Sequence, residues 1–155
     1  MKDVFELQLS DLLFFVKESC HESLHTMIKE LSLLSAEVAV LERQNEEFPE
    51  ALPPLIKKFM MEIKLHLTLE EKNLFPFIET GVDRTPYLPH LEDDHEKMKV
   101  TLLKIRQITK NFEVTENTHY KCLEYYDKLR ELERIILNHI QIEDNILFPM
   151  VRRVS

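Results

Sequence analysis

One eleven-residue segment occurs twice in the chain, at residues 66–76 and 139–149, and both copies read His-x-x-x-Glu followed by Leu-Phe-Pro. A histidine and a glutamate four residues apart lie one turn apart on the same face of an α-helix, so both side chains can reach a common point. Such a pair can chelate a metal ion. A single copy is more simply explained as a hydrogen-bonded core histidine beside a surface glutamate, but two copies in the same register favour a metal site on helices.

The length and composition of the chain favour one helical domain. It has 155 residues, a single glycine and no tryptophan. We expect residues 1–155 to form one domain that buries about two thirds of its unfolded surface. Tight hairpins need residues that adopt positive φ, so a chain this poor in glycine does not favour sheets, and its many Leu, Glu and Lys residues favour helices. The predicted fold class is all-α.

The charge and hydropathy of the chain exclude two kinds of partner. Its formal net charge is -8, and its Lys and Arg residues are scattered among acidic ones. This distribution argues against a phosphate-binding surface and so against nucleic acid. The longest apolar run, residues 12–16, is far shorter than the ~20 residues that span a bilayer, and Asp3 and Glu6 do not fit a signal peptide. We expect no membrane partner and a cytoplasmic protein.

The two cysteines, Cys20 and Cys122, lack the Cys-x-x-Cys spacing of zinc and redox sites. Both are expected to be free thiols packed in or near the core. Cys20 adjoins His21, but neighbouring residues of a helix point about 100° apart. Thiolate ligation by Cys20 is therefore not favoured.

Apolar residues recur at helical spacing in four stretches, which predict helices over residues 10–43, 55–78, 86–110 and 118–151. Ser10 is the expected N-cap of the first helix, and Thr85-Pro86 is typical of the start of the third. The prolines at positions 49, 53 and 54 place a loop between the first two helices. At regular helical spacing, the predicted buried face of each helix includes some residues near its ends. They are Phe14 and Leu41 in the first helix, Asn73 and Phe77 in the second, and Ile146 and Met150 in the fourth.

The two halves of the chain share one layout, because a histidine precedes His66 by 45 residues and another precedes His139 by 44. Each half is predicted to be a helical hairpin, and four helices with short links indicate an antiparallel four-helix bundle. A pseudo-twofold packing of the hairpins brings together at mid-bundle His21, His66, Glu70, His95, His139 and Glu143.

Four imidazoles and two carboxylates in an apolar core are costly unless a cation offsets them, and no Lys or Arg falls on the predicted seam beside them. Two metal ions, each held by two histidines and sharing both glutamates, use all six groups. Nitrogen and carboxylate ligands with open positions suit iron, while manganese and zinc remain open because affinity order alone does not choose the metal.

These residues resemble the hemerythrin-like (HHE cation-binding) bundles, and among them the repair of iron centres family, over roughly residues 14–151. The resemblance is carried by the two repeated segments and by Asp94-His95-Glu96. It implies an oxo-bridged, non-haem centre of two iron ions in which Glu70 and Glu143 bridge the metals. The histidines at the matching positions are His21, His66, His95 and His139.

The resemblance also implies a biological role, in iron handling under nitrosative and oxidative stress. Such a protein donates iron for the repair of iron–sulfur clusters or reacts with nitric oxide. Iron–sulfur proteins are then the expected iron acceptors, and nitric oxide or dioxygen the small ligands. The alternative is a hemerythrin-like protein that binds or senses dioxygen or iron. We assign no catalytic residue and favour a binding protein over an enzyme.

Two features depart from the families that the chain resembles. Oxygen-carrying hemerythrins have a further histidine one turn after the third-helix ligand, where this chain has Lys99. Repair proteins of full length usually carry a small N-terminal domain with paired cysteines, and the nine residues before Ser10 are too few to form one. Reversible dioxygen carriage is therefore the less favoured function, and we expect that the function of the N-terminal domain is absent or supplied by a partner.

Several polar residues near the predicted site have alternative roles. His25 competes with His21 as a ligand, and Asp144 competes with Glu143, but the repeated spacing favours His21 and Glu143. His90 and His119, close to helix starts, are expected to be solvated. The remaining carboxylates either orient a histidine or lie on a solvated acidic face, and they are Glu71, Asp94 and Asp144.

Overall fold

Four long helices make up most of the structure, a computed structural model that describes residues 4–83 and 85–154. The first helix, residues 4–41, consists of α-helix Val4–Phe15, π-helix Val16–His21 and α-helix Glu22–Leu41. The second, residues 52–80, consists of α-helix Leu52–Leu69, π-helix Glu70–Leu74 and α-helix Phe75–Thr80. The third is α-helix Leu88–Ile108, preceded by a 3₁₀ turn at Thr85–Tyr87. The fourth, residues 120–154, consists of α-helix Tyr120–Ile142, π-helix Glu143–Leu147 and α-helix Phe148–Val154.

The four helices pack as a closed ring. The first helix lies against both the second and the fourth, and the third lies against the second and the fourth. The described residues contain no β-strand. The all-α prediction of an antiparallel, hemerythrin-like four-helix bundle is therefore confirmed.

The helix limits differ from the predicted ones, most clearly at the start of the first helix. That helix already includes Val4, so Ser10 lies inside it and is not its N-cap. The apolar stripe continues upstream of Ser10, because Leu9 is buried in the core. At the end of the second helix, Gly81 adopts φ 78° and stops the helix in the left-handed conformation that glycine tolerates best.

Three π-helical segments change which residues are buried. Each inserts extra backbone into a turn, so the face beyond it is shifted by about one residue relative to an unbroken α-helix. Asn73 and Ile146 were predicted on the buried stripe and are exposed. The residues that fill the core in their place are Leu74, Phe75, Leu147 and Phe148.

The same shift overturns the prediction for the first helix. Phe14 is 67% exposed, whereas Leu13 and Val16 are buried. At the far end of that helix Leu41 is 43% exposed, because the neighbouring Glu42 turns inward and accepts a hydrogen bond from the backbone N–H of His119.

Two separate apolar clusters divide the interior. The larger fills the bundle from the level of Leu24, Leu67, Met98 and Ile140 towards the loops at residues 42–51 and 109–119. The smaller closes the opposite end with side chains that include Leu13, Phe75, Leu88 and Phe148. On every helix a predicted metal ligand lies in the chain between these two clusters, and these residues are His21, Glu70, His95 and Glu143. His66 and His139 lie one turn before the two glutamates, beside the last residues of the larger cluster. The fold therefore places a layer of polar groups between two apolar clusters.

Candidate metal centre

All six residues predicted as metal ligands lie in this polar layer, and each is at most 2% exposed. The first helix supplies His21, the second His66 and Glu70, the third His95, and the fourth His139 and Glu143. His21 ends one π-helical segment, and the two glutamates begin the other two. Such local π segments are frequently found at functional sites. The helix backbone is thus irregular at the level where these side chains converge.

The four imidazole rings form two pairs. The ring centroids of His21 and His139 are 5.0 Å apart, and those of His66 and His95 are 4.9 Å apart. Distances between the pairs are longer, at 6.2 Å from His66 to His139 and 5.8 Å from His95 to His139. The arrangement provides two adjacent positions that each have two imidazole nitrogens.

Glu70 lies between the two pairs. Its Oε1 atom is 2.6 Å from Nε2 of His66, and its Oε2 atom is 2.9 Å from Nε2 of His21. Glu143 also joins the pairs, because its Oε1 atom is 3.1 Å from Nε2 of His95 and 2.7 Å from Nε2 of His139. Each carboxylate therefore faces one histidine of either pair.

Several of these atoms have no hydrogen-bond partner among the described residues, although their neighbours are close. They are Nε2 of His21 and His139, both carboxylate oxygens of Glu70, and Oε2 of Glu143. The short contacts of these unpaired atoms lack hydrogen-bond geometry, whereas Nε2 of His95 is hydrogen-bonded to Oε1 of Glu143. A buried polar atom left unpaired costs about 1–3 kcal/mol. A cation would satisfy all of these atoms. Five of the six residues, His21 excepted, each offer a ligand atom within 4.8 Å of the others. The donor set therefore fits a metal ion.

Three of the histidines have a carboxylate on the ring nitrogen that faces away from the centre. Nδ1 of His66 is 3.0 Å from Asp94, and Nδ1 of His95 is 2.7 Å from Asp144. Nδ1 of His21 is 3.0 Å from Glu71. Partners of this kind fix the ring orientation and the tautomer of a metal-binding histidine. The sequence indicated these carboxylates but did not show which histidine each one contacts.

The structure separates the alternative ligands from the six. His25 lies at the surface, with 35% of its side chain exposed, and its Nε2 atom is 2.8 Å from Glu71. Asp144 contacts the outer nitrogen of His95, whereas Glu143 points into the layer. Lys99 forms an exposed ion pair with Glu96 at 2.9 Å.

The carboxylates change the proton affinity of the histidines in the metal-free protein. Burial alone would lower the pKa of His66, but the charge of Glu70 and the hydrogen bond with Asp94 raise it to about 9. Burial likewise opposes protonation of His95, yet Glu143 and Glu70 raise its pKa to about 10. Burial favours a neutral Glu70, but His66 and its neighbours hold the pKa of Glu70 well below its usual range. Without a metal, imidazolium and carboxylate groups neutralise one another.

These shifts predict how the stability of the metal-free protein depends on pH. A histidine whose pKa is raised on folding stabilises the fold fully below its unfolded pKa of about 6.5. This contribution is lost as the pH rises through about 9 for His66 and about 10 for His95. We expect urea midpoints of the metal-free chain to fall between pH 7 and pH 10. A His66→Gln, His95→Gln double variant is the control, and an equal fall in that variant would contradict the assignment.

A groove between the second and third helices reaches the edge of the polar layer. It has a volume of about 630 Å³ and is lined by residues that include Leu65, His66, His90 and Asp94. The Asp94 side chain is 21% exposed at this point.

Among the described helices, none combines the length and the apolar composition needed to cross a membrane.

Comparison with known proteins agrees with this geometry. The family model for the hemerythrin HHE cation binding domain matches residues 18–151. The chain belongs to the hemerythrin HHE family. The match spans the polar layer and all four helices, so the buried histidines and glutamates lie within a domain whose family binds cations.

Curated relatives of this hemerythrin HHE chain share one name. The iron-sulfur cluster repair protein YtfE of Yersinia pseudotuberculosis is 25% identical over 147 residues, which are 94% of this chain and 66% of the relative. YtfE of Salmonella typhimurium is 25% identical over 150 residues, 96% of this chain and 68% of the relative. YtfE of Yersinia pestis matches over the same 66% of its length as the first. The chain thus spans about two thirds of the length of these relatives.

Proposed function

We propose that this hemerythrin HHE chain binds two iron ions and acts in iron handling under nitrosative and oxidative stress, donating iron for the repair of iron–sulfur clusters. One observation carries the two-metal part of the proposal. Glu70 presents one oxygen to His66 and the other to His21, which belong to different histidine pairs. A single metal does not need a carboxylate so placed, whereas two adjacent metals share it.

In the proposed centre, His21 and His139 would hold one iron, and His66 and His95 would hold the other. Glu70 and Glu143, which face both histidine pairs, would be shared by the two ions. Nitrogen and carboxylate ligands with open positions suit iron, which would supply both transferable Fe(II) and a redox centre for nitric oxide. The chain itself would orient three of the imidazoles through Glu71, Asp94 and Asp144, and it encloses the layer between its two apolar clusters.

The biological role rests on the relatives, which are named as iron–sulfur cluster repair proteins. The test is transfer of iron from the loaded chain to an apo iron–sulfur protein, with sulfide and reductant present, followed through the visible spectrum of the acceptor. We expect cluster formation within minutes, faster than with an equal concentration of a chelated iron source. A loaded chain that keeps its iron while the acceptor remains empty would contradict the repair role.

Reversible dioxygen carriage is the alternative function for the same centre. The side chain one turn beyond His95 is Lys99, which pairs with Glu96 at the surface. It supplies no further ligand, so the two proposed iron positions have equal numbers of histidines. We expect the diferrous protein to oxidise in air and not to return to its starting spectrum on degassing. Recovery of that spectrum, with iron resistant to a chelator, would indicate a carrier or sensor.

Replacing His21 or His25 distinguishes the proposed first-helix ligand from its neighbour. His21→Ala is expected to remove one of the two irons, because Nε2 of His21 faces Glu70 at 2.9 Å. His25→Ala is the matched control and should keep both, since this side chain is partly exposed and pairs with the outer carboxylate of Glu71. Iron per chain, measured by elemental analysis after desalting, decides between them. Loss of iron from His25→Ala alone would reverse the assignment.

A further inference from the structure

The four histidines differ in the hydrogen-bond partner of the outer ring nitrogen, Nδ1. Carboxylates lie within 3.0 Å of Nδ1 of His21, His66 and His95. Nδ1 of His139 has no hydrogen-bond partner among the described residues, although the residue is 98% buried, with 2% exposed. One imidazole of the layer therefore has no carboxylate to orient its outer nitrogen.

The internal repeat identifies the position from which a carboxylate would contact Nδ1 of His139. His21 corresponds to His95 and His66 to His139, and the contact between His21 and Glu71 has its counterpart in that between His95 and Asp144. The contact between His66 and Asp94 should likewise have a counterpart at His139. Asp94 immediately precedes His95, so the corresponding residue is the one that immediately precedes His21. That residue is Cys20.

Cys20 is buried, with 5% of its surface exposed, and its thiol is free. A thiol is a weak hydrogen-bond donor and a weak acceptor, so it does not replace a carboxylate that accepts a proton from an imidazole N–H. The pseudo-twofold relation thus holds for the histidines and glutamates of the layer. The pseudo-twofold relation does not hold for Cys20, which is one of the four residues at the positions that orient the histidines.

We propose that the two metal positions differ in affinity, and that the position formed by His21 and His139 releases its ion first because Cys20 stands where the repeat requires a carboxylate. This inference rests on the proposed two-iron centre and adds an order of release. Loss of a partner on the outer nitrogen of a metal-binding histidine typically lowers metal affinity 10–100-fold. Cys20 is in this sense a positioning residue that leaves one iron available for transfer.

The test is the kinetics of iron release from the full chain, loaded with two Fe(II) without oxygen and mixed with a ferrous chelator. We expect two phases of equal amplitude whose rates differ by about 10–100-fold. Cys20→Asp should slow the fast phase and leave the slow one unchanged. Cys20→Asn, which can accept the hydrogen bond without adding charge, should slow the same phase and so distinguish orientation from electrostatic attraction.

The reverse variant is independent of whether the Cys20 variants fold. Asp94→Cys gives the pair of His66 and His95 the same thiol neighbour that the pair of His21 and His139 has. It should speed the slow phase of iron release until the two phases merge. Helical circular dichroism verifies the fold of each variant. After a brief chelator soak, anomalous diffraction from crystals should show iron remaining beside His66 and His95.

Other outcomes would overturn the inference. They are a single release rate in the unaltered chain with both irons bound at the start, a fast phase that no Cys20 or Asp94 variant changes, and residual iron beside His139 instead of His95. The first of these leaves the two-iron centre standing. A chain that binds only one iron before mixing contradicts the proposed centre itself.

Discussion

Replacing Glu70 by alanine is expected to reduce bound iron from two ions per chain to less than one. Both oxygens of Glu70 face the centre, one towards each histidine pair, so the substitution removes a ligand from both positions. It also removes a buried carboxylate whose negative charge offsets that of a bound cation in the apolar interior. Elemental analysis and Mössbauer spectra of the anaerobically loaded variant measure the loss.

Asp144→Ala is the matched control for the loss of a bridge. It removes a carboxylate that contacts the outer nitrogen of His95, so we expect iron binding to weaken about 10–100-fold while a saturated sample still holds two ions. Glu143→Ala should resemble Glu70→Ala, because Glu143 also faces both pairs. If Asp144→Ala loses its iron and Glu143→Ala keeps it, the fourth-helix ligand is misassigned.

Iron loading is expected to raise the thermal midpoint of the chain by about 8–16 °C per ion. A ligand at 1,000 times its dissociation constant stabilises the folded state by about 4 kcal/mol, and in a chain of this size 1 kcal/mol shifts the midpoint by about 2–4 °C. The large effect has a structural cause, since all six proposed ligands are buried and several of their polar atoms are unpaired. Anaerobic calorimetry with and without Fe(II) measures the shift.

The Glu70→Ala variant controls for iron that binds elsewhere on the acidic surface of the chain. Its midpoint should move by no more than a few degrees under the same conditions. An equal shift in the variant and the unaltered chain would place the bound iron outside the polar layer. Absence of a shift in the unaltered chain would show that folding and iron binding are not coupled there.

The sequence was sufficient for the bundle and for the convergence of the six polar side chains. Both depend on local spacing, because His-x-x-x-Glu places two groups on one helix face whichever way the helix packs. The equal layout of the two halves then identified His21 and His95 as the remaining members. Their burial is confirmed, while their role as ligands remains a prediction.

The π-helical segments could not be predicted, since helical periodicity assumes a constant number of residues per turn. The errors at Phe14, Asn73 and Ile146 all follow from them. The contacts of the outer carboxylates were also missed, because Glu71 reaches His21 and Asp94 reaches His66 across helix interfaces. The repeat did contain one overlooked signal, the alignment of Cys20 with Asp94.

The central claim is a centre of two irons joined by shared carboxylates. The most direct measurement is the iron content and the Mössbauer spectrum of the full chain, loaded anaerobically with ⁵⁷Fe(II), desalted and then oxidised. We predict two irons per chain and a diamagnetic ground state from coupled ferric ions, with Glu70 and Glu143 both required. One iron per chain, two magnetically isolated irons, or zinc in protein from iron-replete cells would contradict the account.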